Sequence, residues 1–162
     1  MKKCLLFLLL LISLCSFTQS NAKPAPGPAN TPVNKTLLLK LINEARSQGR
    51  KCGDTYYEPA PLLTWNDQLE NAAREHSEDM YKNHYFNHIA PDGSGTADRM
   101  EKAGYTWKMY GENIGMGYMD ENEVVKGWLN SPGHCKNIMN PNYKDMGVAR
   151  QGNYWTQVFG RK

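Results

Sequence analysis

A positively charged start at Lys2 and Lys3, the apolar run from Leu5 to Leu14 and the small residues of Ser20-Asn21-Ala22 constrain this chain more than any other feature. In that order they form a secretory leader, with cleavage expected after Ala22. The run is too short to span a bilayer comfortably, which takes about 20 residues. No later stretch is apolar enough to be a transmembrane segment. The rest of the chain is therefore expected to fold outside the cytoplasm, secreted to an extracellular or periplasmic space where thiols are oxidised. A lipid anchor at Cys15 is the rival reading, but Leu14 stands where a small residue normally precedes such a cysteine.

Cleavage there leaves two of the four cysteines, Cys52 and Cys135. A lone pair in an exported chain is most simply a disulfide; the other reading is two unpaired buried thiols. A bridge would close a loop of 135 − 52 = 83 residues, which the chain-entropy model values at roughly 4–5 kcal/mol. The remaining 162 − 22 = 140 residues suit one domain with a real core. Losing Lys2 and Lys3 takes Lys+Arg from 19 to 17 against 16 Asp+Glu, a net charge of +1. A near-neutral chain of mixed sign, with no basic stripe and no phosphate-cradling glycine loop, gives no electrostatic case for nucleic acid.

Residues 23–34 carry prolines at 24, 26, 28 and 32 and read as an extended linker outside the core. The domain is expected to occupy 35–162. Leu38, Leu41, Ile42 and Ala45 recur at helical spacing before Gly49. Residues 51–64, with Pro59 and Pro61, read as loop. Asn66 is placed to cap a second helix whose core face holds Leu69, Ala72, Ala73, His76 and Met80. A short helix over Thr96 to Ala103 stops at Gly104. A strand is expected over 112–118. Asp120-x-x-Glu123 is a capping-box arrangement opening a helix that carries Val124, Val125 and Trp128 and ends at Pro132-Gly133. Strands Met146 to Arg150 and Tyr154 to Phe159 flank a Gln151-Gly152-Asn153 turn. Helices first, one central strand, a helix and then a hairpin point to a layered α+β domain.

Four histidines raise a metal question. His84 and His88 are four apart, but the segment nears a helix end and no glutamate follows His84 as a zinc-protease motif requires. His76, on an apolar helix face, reads as a packed and hydrogen-bonded core residue. Glu112 lies between Gly111 and Asn113, and His134 directly precedes Cys135. Spacing alone does not gather these residues into one site.

A set of segments does. Leu63-Thr64-Trp65-Asn66, Phe86-Asn87-His88 with Asp92-Gly93, Gly111-Glu112-Asn113-Ile114, Gly127-Trp128-Leu129-Asn130-Ser131-Pro132-Gly133-His134, Asn137-Ile138-Met139, Met146-Gly147-Val148 and Tyr154-Trp155-Thr156-Gln157-Val158-Phe159 stand in one order over about residues 36–160. In this the chain resembles the CAP superfamily of cysteine-rich secretory, antigen 5 and pathogenesis-related proteins (the SCP domain), and most of all its compact bacterial members. The resemblance implies a three-layer α-β-α sandwich with a central antiparallel sheet. It also implies a cleft with two histidines and two glutamates at its centre. Carried over, the histidines are His88 and His134, and the first glutamate is Glu112. Ser131 stands where the second glutamate is often found, so the set is a triad, with Ser131, Asn113 and Glu123 as neighbours to weigh. His88, Glu112, His134 and water would suit zinc or another divalent cation; the plain alternative is a polar network joining the layers.

Three readings of function follow. The leading one is a non-enzymatic extracellular binding module that meets a ligand, lipid or protein through its cleft. The second is a metal-assisted hydrolase or peptidase using His88, His134 and Glu112. The third is a cell-wall or matrix module with residues 23–34 as spacer.

Overall fold

The computed structural model describes residues 32–162. The leader, Cys15 and most of the proline-rich segment lie outside the described residues. Of that segment, Val33 packs on the core and Asn34 caps the first helix, so the domain takes in the last residues assigned to the linker.

Eleven elements follow in chain order: α1 (Lys35–Gln48), β1 (Arg50–Cys52), β2 (Thr55–Tyr57), β3 (Thr64–Trp65), α2 (Asp67–Asn83), α3 (Thr96–Lys102), β4 (Met109–Met116), α4 (Glu121–Asn130), α5 (Pro132–Met139), β5 (Asp145–Gln151) and β6 (Tyr154–Arg161). Strands β3-β5-β6-β4 make the central sheet, and β1-β2 a separate hairpin. The β5-β6 and β6-β4 pairs are antiparallel, while the two-residue edge strand β3 joins β5 in parallel. The fold is α+β, an α-β-α sandwich.

Alternation along the strands builds the two cores. Met146, Val148, Trp155 and Phe159 face the layer of α1, α4 and α5, where Leu38, Ile42, Val124, Val125, Trp128, Ile138 and Met139 meet them. Ala149 and Val158 face α2 and α3, packing with Leu69, Ala72, Ala73 and Met100. The alanines let α2 lie flush on the sheet. At Gly147 the approach is so close that an added Cβ would strike the backbone of Leu69 and Glu70.

Local signals are realised where they rest on neighbouring residues. Asn66 Oδ1 accepts from the amides of Gln68 and Leu69 at 2.9 and 3.2 Å. Asp120 and Glu123 exchange reciprocal hydrogen bonds, both 2.9 Å. Gly152 turns the β5-β6 hairpin at φ +58°, a region open to glycine at little steric cost.

Four expectations are corrected. Residues 51–64 are not all loop: a hairpin and β3 lie within 50–65, because short edge pairings carry too little periodicity to show in sequence. The central strand covers 109–116 rather than 112–118, in full register with β6. Pro132 opens α5 instead of only ending α4; its fixed φ and missing N–H suit a first helical position. On α1, Arg46 is fully buried while Leu41 and Ala45 are only half-buried. The Arg46 guanidinium donates to Pro61 O at 2.6 and 2.8 Å, Ile138 O at 2.5 Å and Asn140 O at 3.0 Å. Burial lowers its pKa to about 10.

Cys52 and Cys135 form a disulfide with Cα atoms 5.5 Å apart, tying β1 to α5. That separation lies well inside the range a bridge spans without backbone movement.

Candidate functional site

The site lies along β4, which has a neighbour on one side only. Consecutive strand residues face opposite ways, and here the alternation decides the chemistry. Glu112 points to the α2-α3 layer. Its Oε2 accepts from Arg99 Nη2 of α3 at 2.9 Å, and His76 Nε2 of α2 stands 3.8 Å from its Oε1. Asn113 points the other way. Its Nδ2 donates to Gln157 Oε1 at 3.0 Å and to His134 O at 3.2 Å, and its Oδ1 accepts from Asn137 at 2.9 Å. Asn113 thus pins α5 to the sheet and is buried there.

His88 comes from the loop after α2 and closes the remaining side of Glu112. Its Nδ1 lies 2.7 Å from Glu112 Oε1, with the imidazole half-exposed at 49% and the carboxylate 3% exposed. Both carboxylate oxygens are therefore committed, one to His88 and one to Arg99. Burial on its own raises the Glu112 pKa, but the His88 hydrogen bond and the charges of Arg99 and His76 outweigh it and leave the group below its ordinary value. It stays ionised and is a poor base.

Arg99 organises the surroundings. Its guanidinium also donates to Ser94 O, His88 O and Thr96 Oγ1, so one side chain fixes the His88 loop and the Glu112 carboxylate together. Sequence reasoning missed it, because a lone arginine in a short helix carries no local mark of burial. His76 is fully buried, as its helix face implies, but Nε2 has no hydrogen-bond partner and the Tyr85 hydroxyl is 3.5 Å from Nδ1. The hydrogen bond expected of a packed core histidine is made by Nδ1 alone. Burial first, then the Arg99 and His88 charges, lower its pKa against the pull of Glu112.

His134 sits on the first turn of α5, in the layer opposite Glu112. Burial lowers its pKa, and the charge of His88 lowers it further, so the two imidazoles are within electrostatic reach round the edge of β4. His134 lines a recess of about 280 Å³ with Ser131, Phe86, Met116 and Trp128. His84 is the left-handed C-cap of α2, φ +54°, so no helix places it on one face with His88. Glu123 is taken up by its cap. The sequence thus brings His88 and Glu112 into contact and leaves His134 outside their hydrogen-bonded set. Among the described residues no group of three His, Cys, Asp or Glu side chains is arranged to hold a metal ion.

An α-β-α sandwich with a histidine–carboxylate pair at its sheet edge is what the resemblance in sequence implied. The Cysteine-rich secretory protein family model matches residues 39–159, and the chain belongs to that CAP family. It is 43% identical over 136 residues to the uncharacterized protein YkwD of Bacillus subtilis, covering 82% of this chain and 49% of that one. An extracellular SCP-domain protein of Bacillus anthracis superposes with TM-score 0.70 at 34% identity, covering 78% of this chain and 40% of that one. An outer surface protein of Borrelia burgdorferi shares the fold at TM-score 0.68 and 22% identity, covering 82% and 98%. The chain spans about half the length of YkwD and less than half that of the B. anthracis protein. No described helix is long and apolar enough to cross a membrane.

Proposed function

We propose that this chain is a secreted, non-enzymatic binding module that works through the β4-edge cleft, with His88 and His134 as its ligand-facing donors. One observation carries the reading. Glu112, clamped by Arg99, accepts a hydrogen bond at 2.7 Å from His88 Nδ1. A carboxylate in that position fixes the tautomer and leaves Nε2 as the basic, outward nitrogen.

The donor chemistry fits a divalent cation in part. Two imidazoles, one oriented by a carboxylate and one kept neutral by burial, are suitable ligands. Glu112 is not, since both its oxygens are engaged. His88 and His134 would hold the ion, Glu112 would orient rather than ligate, and the remaining positions would fall to water or to donors of the bound partner. The same facts disfavour hydrolysis, because the single carboxylate has its pKa lowered and faces an arginine.

Isothermal titration with Zn²⁺ tests the reading. His88→Ala and His134→Ala should each abolish binding, while Glu112→Gln should weaken it about 10–100-fold, the usual cost of losing an orienting partner. Abolition by Glu112→Gln would make the carboxylate a ligand. No Zn²⁺ binding by the wild type would leave a structural network. Chelator-sensitive turnover of peptides would replace binding with hydrolysis, and retention on isolated wall material would favour the matrix module.

A further inference from the structure

The free side of β4 is capped along most of its length and left open at one end. Successive pairs in an antiparallel ladder alternate between bonding and not bonding across the strands. Gly117 N donates to Asn153 O at 2.8 Å, one step beyond the last register pair, Met116 with Tyr154. The odd-numbered residues of β4 therefore bond β6, and the even-numbered ones turn their N–H and C=O away from it. Three of those outward carbonyls are capped by side chains. Tyr110 O accepts from the Tyr143 hydroxyl at 2.9 Å, Glu112 O from Asn137 Nδ2 at 3.0 Å and Ile114 O from Trp128 Nε1 at 3.2 Å. The remaining even-numbered residue is Met116, which is exposed. No group among the described residues bonds its N–H or C=O. An unpaired edge of this kind is a template for another strand.

The recess of about 280 Å³ opens at the same place. It exists because Gly115 has no side chain: a Cβ there would stand 3.4 Å from Trp128 Nε1 and 3.5 Å from Val124 Cγ2. Phe86, Met116 and Met119 also line it, and no Asp, Glu, Lys or Arg among the described residues does. Its complement in charge is an uncharged, apolar group. Its volume falls just short of the ~300–1,000 Å³ of sites that take a whole small molecule, and it suits one large side chain. A flat sugar ring is a poor match, because Phe86 lies at 47° to Tyr154 and Tyr81 at 81° to the same ring, so the neighbouring aromatics share no platform.

Side chains alternate along a strand. A strand paired with Met116 therefore puts its next side chain on the Gly115 face, over the recess. We propose that the open backbone of Met116 and the apolar recess beside Gly115 dock an extended peptide segment, one residue pairing with Met116 through two backbone hydrogen bonds and the next placing a large apolar side chain in the recess. Such docking rests on the β4-edge cleft being a binding site, and it requires no ion.

The test is an amide NMR titration of the purified protein in EDTA with acetyl-Thr-Leu-Thr-Leu-Thr-amide. Saturable shifts of the Gly115 and Met116 amides and of the Trp128 indole N–H support the site. The serine analogue acetyl-Thr-Ser-Thr-Ser-Thr-amide should produce none. N-methylation of the central threonine removes the donor to Met116 O and should weaken binding about two- to tenfold, as loss of one hydrogen bond allows. Gly115→Ala places a methyl group in the recess at ordinary contact distance from Trp128 and Val124, so it should melt like the wild type and bind about tenfold more weakly. The two altered peptides read the docking mode on the wild-type protein, whatever the variant does to the fold. Equal binding of the leucine and serine peptides, indifference to N-methylation, or a Gly115→Ala variant that melts and binds like the wild type would each overturn the docking mode. Shifts caused by phosphatidylglycerol vesicles and by no peptide would make the recess a lipid contact instead. The same shifts on raising the protein concentration alone would make it an interface between copies. Peptide binding without Zn²⁺ binding would remove only the metal part of the proposed function, and Zn²⁺ binding without peptide binding would remove only the peptide.

Discussion

Replacing both cysteines, Cys52→Ala with Cys135→Ala, should cost this domain a large part of its stability. The bridge closes an 83-residue loop. Loop-closure entropy for that length corresponds to about 4.5 kcal/mol at 25 °C, lost when the unfolded chain is released. Both sulfurs are buried, Cys135 fully, so emptied core volume adds to the cost. A domain of this size has a total stability of roughly 5–15 kcal/mol, so about 30% or more of it rests on one bond. Because the bond acts on the unfolded state, the variant should also expose more surface on unfolding and show a steeper urea dependence. Urea titration followed by tryptophan fluorescence, with and without reductant, measures both. The melting temperature should fall by about 15 °C, taking ~3–4 °C per kcal/mol at this length. The double variant should ignore reductant, and the reduced wild type should fall toward it, staying more stable by the cost of the emptied core volume. A loss below about 1 kcal/mol with an unchanged urea slope would refute the reasoning.

Glu123→Ala should lower stability by about 0.5–2 kcal/mol through loss of the reciprocal cap at α4, and leave Zn²⁺ titration unchanged; a normal melt with abolished binding would put Glu123 in the cleft. Gly147→Ala should destabilise by at least about 1–3 kcal/mol, since the new methyl group meets the backbone of Leu69 and Glu70 and not a movable side chain; a wild-type melt would show that α2 can lift off the sheet. Acid should weaken the fold in two stages. His76 and Glu112 both have folded pKa values below their ordinary ones, so each contributes stability at higher pH that is lost as pH falls. For His76 the loss begins near its unfolded pKa of about 6.5, and for Glu112 near about 4.3. Urea midpoints from pH 8 to 3 should show both declines, and His76→Gln should reduce the first, leaving the share of His134, whose pKa burial also lowers; a midpoint flat from pH 7 to 5 in the wild type would contradict the assignment. Arg99→Gln should raise the Glu112 pKa and destabilise strongly, because it leaves a buried carboxylate without its cation; the Glu112 carboxyl carbon shift followed through a pH titration checks it.

Cleft residues divide by how their partners are set. His88 and Glu112 were legible as members of one site only through the order of the family segments, for nothing within either neighbourhood implies a contact 24 residues away. Arg99 was not legible at all, although it decides what Glu112 can do. Its role depends on α3 packing against α2 and β4, which brings the guanidinium to a carboxylate whose direction is set by strand alternation. The same alternation turned Asn113 away from the cleft and into the joint with α5.

What the sequence alone determined is what travels within a turn or two of chain. The Asn66 and Asp120 caps, the apolar face of α2 and the glycine of the last hairpin each depend on residues two to eleven positions apart, and the backbone geometry of a helix or turn places them automatically. The pairing of Cys52 with Cys135 was an expectation from the leader reading, and the fold brings the two together across 83 residues. The tertiary structure alone decided the burial of Arg46, whose acceptors lie 15 to 94 residues away. It also decided the parallel edge pairing of β3 with β5, the start of α5 at Pro132 and the division of Glu112 and His134 between opposite layers. In each of these a polar group's partner is fixed by strand register and layer stacking. A charge on a helix stripe is the same letter whether it meets water or three carbonyls, and only the packed chain supplies the carbonyls.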